Sequence, residues 1–518
     1  MSKHGKFYWF VANGSRRTRK FAGRHKLAFG VLATLILLYA FALRPLAQPM
    51  FLFLRIYTFD IALVVLSLYL IRRFKHWMKW KSWVTVLLLL LVIVGTNFMS
   101  WTPHSYLTMY FRFVSIKKEN LALLPETGFE RIQPLNSMRV LANEMMTSNE
   151  QPSEPFNVRI GNDYRWTMGI EPSFFWSRLT GSVREVVNIS STTPTPNLSE
   201  GNRDDVNFSV GENLLLGKNS KICTIRSFGV ARFLSYEPVD VKYLKDDSGE
   251  WVQIVSLLKW EGIIFPQPVF GGVQVIHQDK GGVLNYLKHM FVGDGEWISP
   301  KDIEKHAFLR GQNIVPYRVS RFAASSFRFH RGFIAPFWGY HQGDIRIPDL
   351  PGDLNDQPFT TYFKFESGEG KLYHYFALEP YQDDKQGLSL SLLVPADGVG
   401  PVKIYDHNEK DETLIGVSAV AGQVKASRKM YDWSHSRPAE NRPYIRTING
   451  KRQFFWLTTI VTSKGDDTSE SGGFVAGSTP DVVLTDPFYR VPVWVDSQHP
   501  ETWVLQLERD LASVWRNP

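Results

Sequence analysis

The chain has 518 residues, a formal net charge of +9 and a single cysteine, Cys223. One cysteine excludes an intramolecular disulfide, and a body of several hundred residues is large enough to bury a core without one. The basicity is local: residues 1–81 carry 15 basic residues and one acid, Asp60, and the remainder carries 44 basic and 49 acidic residues. The larger part is therefore mildly acidic, which argues against a nucleic-acid surface.

Three apolar stretches open the chain, at residues 27–43, 51–71 and 83–99. A bilayer span takes about 17–25 mostly apolar residues, so each qualifies by length. The flanking Lys and Arg residues place residues 1–26 and the loop 72–81 in the cytoplasm and residues 100–518 outside. The expectation is an integral protein of the bacterial plasma membrane, with the lipid bilayer and other envelope or membrane proteins as partners, and no nucleic acid. Arg55 and Asp60 fall inside the second stretch, where an ionised carboxylate is costly. They are candidate intramembrane polar residues, with a bent or shortened span as the plainer account.

Beyond residue 100, short runs rich in Val, Ile, Thr, Phe and Trp alternate with Gly, Pro, Asn and Asp clusters, the pattern of β-structure. Strands are expected at residues 251–258, 273–277, 360–365, 388–394 and 454–462. Helices are expected at 135–146, from Ser299-Pro300 onward, and from Glu501, where Trp503, Leu507, Leu511 and Val514 share one face. Residues 190–205 and 465–473 read as loops.

Element order repeats along the chain. A Pro-led strand, a Gly turn, an aromatic strand, another strand and a helix occur from Pro238 and again from Pro443, with a weaker copy from Pro155. The expected fold class is α+β. A three-helix transmembrane anchor precedes a large β-rich extracytoplasmic domain with duplicated hairpin-strand-helix units. The expected divisions are a basic tail (1–26), the anchor (27–99), a membrane-proximal part (100–235), a β repeat unit (236–298), an insertion (299–440) and a second repeat unit (441–518).

Residues 442–496, with Gly450-Lys451 before an aromatic strand and Val483-Leu484-Thr485-Asp486 at the close, carry a resemblance, as does Gly370-Lys371-Leu372. They resemble the ectodomains of a family of large uncharacterised multi-pass bacterial membrane proteins. The resemblance implies a cell-envelope setting and brings no activity, cofactor or site residue.

Catalytic and metal motifs fail on inspection. There is no His-Glu-x-x-His and no Cys-x-x-Cys. Gly211 to Lys218 has one residue too many for a phosphate loop, and Asn219 stands where a Ser or Thr must hold magnesium. Asp406 to Glu412 lacks the turn glycine of a calcium loop. No cofactor and no metal are expected. The densest polar-aromatic cluster is His330, Arg331, Trp338, His341 and Asp344, a candidate binding site for a sugar, peptide or protein, with an aromatic core under a loop as the plainer account. The leading functional expectation is a non-catalytic, membrane-anchored scaffold or binding module of the cell envelope. The alternatives are an extracytoplasmic hydrolase or transferase acting on an envelope polymer, and an accessory subunit of a transporter.

Overall fold

A computed structural model describes residues 43–58, isolated helical positions between 30 and 72, and most of residues 103–516. Gaps in the last stretch include 194–202, 333–343, 351–356, 382–386 and 463–479. The description that follows concerns the described residues.

Four β-sheets follow one another along the chain. Two short strands, β1 (Lys118–Asn120) and β2 (Glu126–Gly128), come first. After β3 (Glu150–Pro152), the first meander comprises β4 (Phe156–Ile160), β5 (Asp163–Pro172), β6 (Val183–Ser190) and β7 (Arg203–Phe208). The second comprises β8 (Tyr236–Lys245), β9 (Trp251–Glu261), β10 (Gln267–His277) and β11 (Glu296–Ile298). After β12 (Ile345–Arg346), the third comprises β13 (Phe359–Lys364), β14 (Gly370–Pro380), β15 (Leu390–Pro395) and β16 (Val402–Asp406). The fourth comprises β17 (Ser436–Ile448), β18 (Lys451–Thr462), β19 (Asp481–Asp486) and β20 (Val491–Val495). Each meander pairs antiparallel in sequence order. In the third sheet β2 pairs with β13 and β1 pairs, in parallel, with β16, so the early segment closes both edges.

The segments that repeat in sequence thus supply the first, second and fourth meanders, and the third meander lies in the expected insertion. The second and fourth also share an irregularity. In β8 the step from Pro238 to Val241 opposes the two-residue step from Leu257 to Val255, and in β17 the step from Ala439 to Arg442 opposes that from Thr459 to Leu457. One extra residue in the first strand of each is a β-bulge, which bends and twists that strand. The β17–β18 turn is Asn449-Gly450, both at positive φ (52° and 74°), the two-residue hairpin geometry that favours this pair of residues.

The first strands of the four meanders meet at a common centre, like the inner edges of propeller blades. Asn157 of β4, Thr360 and Thr361 of β13 and Arg442 of β17 line one cavity of about 20 Å³. Lys242 of β8 sits 4.7 Å from the centre of the Phe156 ring of β4. Between neighbouring sheets the cores are apolar. Phe156 and Val158 pack with Leu244, Val252 and Ile254, and Phe359, Phe363 and Tyr375 pack with Ile445, Trp456 and Val483. The final helix, Trp503–Arg516, buries Trp503, Leu507 and Leu511 against the fourth sheet, as its spacing predicts.

Three sequence expectations change. First, no helix among the described residues is long and apolar enough to cross a membrane. The expected three-helix transmembrane anchor is corrected on that finding, and with it the integral plasma-membrane placement with residues 100–518 outside. The second stretch shows why length and hydropathy misled. Its first residues belong to a 13-residue helix, α1 (Arg44–Ile56), that begins before the stretch and packs on the β-rich body. Ala47 and Leu52 enter the core, and the buried Gln48 side chain donates to the carbonyls of Phe233 and Tyr236 at 3.2 and 2.7 Å. An apolar run can serve protein packing as well as lipid contact, and hydropathy does not separate the two. Most of stretch 27–43 and all of 83–99 lie outside the described residues. Second, Ser299-Pro300 leads only into a 3-10 turn at Ile303–Lys305, because Ser299 donates to the Asp302 side chain at 2.5 Å instead of capping a longer helix. Third, the loop 190–205 is shorter than expected: β7 begins at Arg203, while loop 465–473 lies outside the described residues.

One buried carboxyl carries a pH signature. Glu171, 1 % exposed, accepts from the backbone N–H groups of Glu212 and Asn213, both at 2.6 Å. Burial outweighs those donors and pushes its pKa up from 4.5 to about 7. The folded chain therefore holds this proton where the unfolded chain has lost it. The associated stabilisation is complete below about 4.5 and is lost as pH rises through about 7, a difference on the order of 3 kcal/mol. Melting temperature measured from pH 5 to 8 should fall more steeply for the wild type than for Glu171→Gln. Parallel curves would show that Glu171 ionises as it does in the unfolded chain.

Candidate functional site

A cavity of about 550 Å³ opens where the first, third and fourth sheets approach. Arginines dominate its wall. Arg131 comes from the segment after β2, and Arg139 from the helix Leu135–Glu144. Arg318 and Arg321 stand three residues apart on the helix Tyr317–Ser325. Tyr317 is half-buried at the wall, and Trp166 of β5 and Phe359 at the start of β13 lie behind it, each 1 % exposed. Glu440, from the β17 bulge, is the lining carboxylate among the described residues. Four guanidinium groups line the wall, and three of them meet a carboxylate: Arg131 with Glu440, Arg139 with Glu154 and Arg318 with Glu237.

Arg131 and Glu440 form an ion pair, and Glu440 also accepts the backbone N–H of Leu135 at 2.8 Å. Glu440 holds a positive φ of 49°, a conformation the bulge imposes to turn its carboxylate toward Arg131. The Arg131 guanidinium carbon lies 5.1 Å from the centre of the Trp166 ring, a cation–π distance. Arg139 pairs with Glu154 at the rim, and Arg318 stands 3.6 Å from Glu237. Arg321 donates to the Gln357 carbonyl at 3.1 Å. Two donors in this wall are buried without a protein hydrogen-bond partner, Trp166 Nε1 and Arg131 Nε.

Beneath the wall lies a buried polar network. His374 is fully buried, with Nε2 2.9 Å from Asn313 Oδ1 and Nδ1 2.6 Å from Ser320 Oγ. An amide oxygen can only accept, so Nε2 carries the proton and Nδ1 accepts from Ser320. Burial, with Lys242 nearby, holds the His374 pKa well below its ordinary value, so the ring is neutral. Asn313 donates onward to the Tyr317 hydroxyl at 3.2 Å, and that hydroxyl meets Thr360 Oγ1 at 3.0 Å. Lys242, fully buried, donates to the Asn313 carbonyl at 2.8 Å and lies 3.6 Å from Asp240. The network fixes Tyr317 and the helix that carries Arg318 and Arg321, so the basic wall rests on a rigid floor. A second large cavity, of about 440 Å³, is lined by Leu124, Ile445, Phe454 and Trp515 with Lys451, Arg452 and Asp486.

None of the sequence-derived candidates among the described residues lines this cavity. Trp338 and His341 lie outside the described residues. His330 ends a 3-10 turn and stands 3.4 Å from Asp406, the head of the rejected calcium loop. Arg331 is exposed in the following turn, and the Asp344 carbonyl accepts from Tyr381 at 2.7 Å. Arg55 donates to the Gly262 carbonyl at 3.1 Å from within the docked helix α1, and Asp60 lies outside the described residues. The rejected phosphate loop is a turn in which Lys218 donates to the Gly181 carbonyl at 2.8 Å. Cys223 is buried, and burial pushes its thiol up to about 12, which leaves it protonated. The arginine wall escaped the sequence because its members span residues 131 to 440. The one local signal was Arg318 and Arg321 beside Tyr317, polar groups one turn apart on a helix whose other face is buried. Comparison of the chain with protein-family models, with curated proteins and with solved structures returns no match.

Proposed function

We propose that this protein is a non-catalytic binding module that grips an anionic group of a ligand in the arginine-lined cavity. The observation that supports the reading is the wall itself: four guanidinium groups, three of them also meeting a carboxylate, and the half-buried Tyr317 ring around about 550 Å³. Arginine forks match carboxylate and phosphate oxygens two at a time, and aromatic faces take the apolar side of a sugar or acyl group. The volume suits a ligand of a few rings. Catalysis by general acid and base would ask for a second titratable group aimed into the cavity, and Glu440 is held by Arg131.

Calorimetric titration with pyrophosphate and with short galacturonate oligomers tests it, against neutral galactose oligomers. Binding of at least one anionic probe is expected, weakening as salt is raised. The double variant Arg139→Gln with Arg321→Gln should weaken it about 30-fold or more. Equal binding by the neutral oligomers, no binding of either anion, or an unchanged affinity in the variant would refute the reading.

A further inference from the structure

Away from the arginine wall, three ligand-type side chains converge at one end of the second sheet. Asp279 follows β10, His289 lies on the helix Val283–Phe291, and Asp294 follows that helix. One ligand atom from each lies within 4.8 Å of the others. His289 Nε2 is 2.8 Å from Asp294 Oδ2 and 3.6 Å from Asp279 Oδ2. We propose that Asp279, His289 and Asp294 form a binding site for a small divalent transition-metal ion, with zinc the best fit.

The hydrogen bonds around the ring point the same way. Ser209 Oγ is 2.6 Å from Asp279 Oδ2 and 3.3 Å from His289 Nδ1. An ionised carboxylate cannot donate, so the Ser209 proton goes to Asp279, and its lone pair accepts from Nδ1–H. That leaves Nε2 facing two carboxylate oxygens. Three electron-rich atoms pointed at one another call for a cation between them. Either Nε2 carries a proton, or a metal ion takes its place with the Nδ1 hydrogen bond as orienting support. Lys288 holds the other oxygen of Asp294, at 2.8 Å, and leaves Oδ2 for the ion.

The distances suit zinc. Bonds of about 2.0–2.2 Å in a tetrahedron separate ligand atoms by roughly 3.3–3.6 Å; Nε2 and Asp279 Oδ2 stand at 3.6 Å, and Nε2 and Asp294 Oδ2, hydrogen-bonded at 2.8 Å, must part by about 0.5 Å to admit the ion. One imidazole nitrogen with two carboxylate oxygens falls within the ligand types zinc accepts, and leaves a fourth position for water. Asp279 and Asp294 are about one-fifth exposed, so an ion has a way in, while His289 is buried. The frame is rigid. Asp279 N–H donates to the Asn207 carbonyl, and Arg226 donates to the His289 carbonyl. Gly293, at φ +83°, brings the chain so close to the Cys223 carbonyl that a Cβ there would lie 2.4 Å from its oxygen. A serine, histidine and aspartate in a row also suggest a hydrolytic triad. Ser209 is 4 % exposed and already bonded to Asp279, so no substrate carbonyl could reach it.

The test uses the full chain, stripped with EDTA and then titrated with ZnCl2, with MgCl2 as comparator. One zinc ion should bind with micromolar or tighter affinity and raise the melting temperature by several degrees, whereas magnesium should do neither. CoCl2 should give the intense visible absorption of a tetrahedral site, a readout that needs no variant. Asp279→Asn and His289→Ala should each abolish the cobalt signal. Failure of zinc and cobalt to bind, with both ring nitrogens of His289 protonated by NMR, would overturn the proposal in favour of an imidazolium ion pair. Binding that survives in both variants would overturn it as well, since the ion would then lie elsewhere. Neither outcome touches the arginine-lined cavity, whose anion binding is measured separately.

Discussion

Replacement of Trp456 by alanine should lower the melting temperature by about 3–6 °C, the signature of about 3–5 kcal/mol lost from a large chain. Trp456 is fully buried where the third and fourth sheets pack together. Its ring meets those of Phe454 and Tyr375 edge-on, at 4.9 and 6.2 Å. Its indole N–H satisfies the Ile415 carbonyl at 2.9 Å, so truncation opens a cavity and leaves a buried acceptor unpaired. Trp456→Phe keeps most of the ring and loses only the hydrogen bond, and should recover more than half of the deficit. A melting temperature for Trp456→Ala within about 1 °C of wild type would mean that the two sheets do not depend on one another for stability.

Glu440→Ala is expected to be nearly as damaging, for an electrostatic reason. One carboxylate serves Arg131 by direct contact and stands 3.7 Å from Arg442. Burial already depresses the Arg442 pKa to about 9, with repulsion from Arg131 as the next cause. Without the anion, two buried guanidinium groups face each other, and breaking a buried pair in this way costs about 3–5 kcal/mol. Adding Arg131→Met to Glu440→Ala removes one of the stranded charges and should restore part of the loss. Thermal unfolding of the two single variants and the double variant measures the coupling, and strict additivity would show that the pair contributes nothing jointly.

The strands were legible because alternation survives in sequence. Residues 251–258 and 454–462 lie within β9 and β18, and the Asn449-Gly450 turn announced its hairpin. What the strands surround was not legible. Nothing in Asn157, Lys242, Thr360 or Arg442 says that four strands so far apart face one centre. The arginine wall was hidden for the same reason, since Arg131 finds Glu440 only after three sheets have folded. Of the cluster from His330 to Asp344, Trp338 and His341 lie outside the described residues, and His330 stands beside Asp406, far from it in sequence. The helix Arg44–Ile56 packs only Ala47, Leu52 and their neighbours on the body while Leu46, Met50, Phe53 and Leu54 stay exposed, a distinction that a hydropathy window averages away. Asp279, His289 and Asp294 share one short segment, yet their spacing matches no familiar zinc signature, so only the turn at Gly293 reveals them.

Strand β1 pairs with β16 across 284 residues of intervening chain. A ribosome adding about 5–20 residues per second would expose the earlier strand for roughly 15 seconds to a minute before its partner emerges. β2 waits almost as long for β13. During synthesis the chain therefore carries two strands with open edges that nothing made so far can cover. Their brevity, three residues each, and the charges on Lys118, Glu119 and Glu126 make them poor templates for a neighbouring nascent chain. Closure of the third sheet is consequently a late event, timed by translation, and the first thirty residues of the β-rich body are among the last to reach their final place.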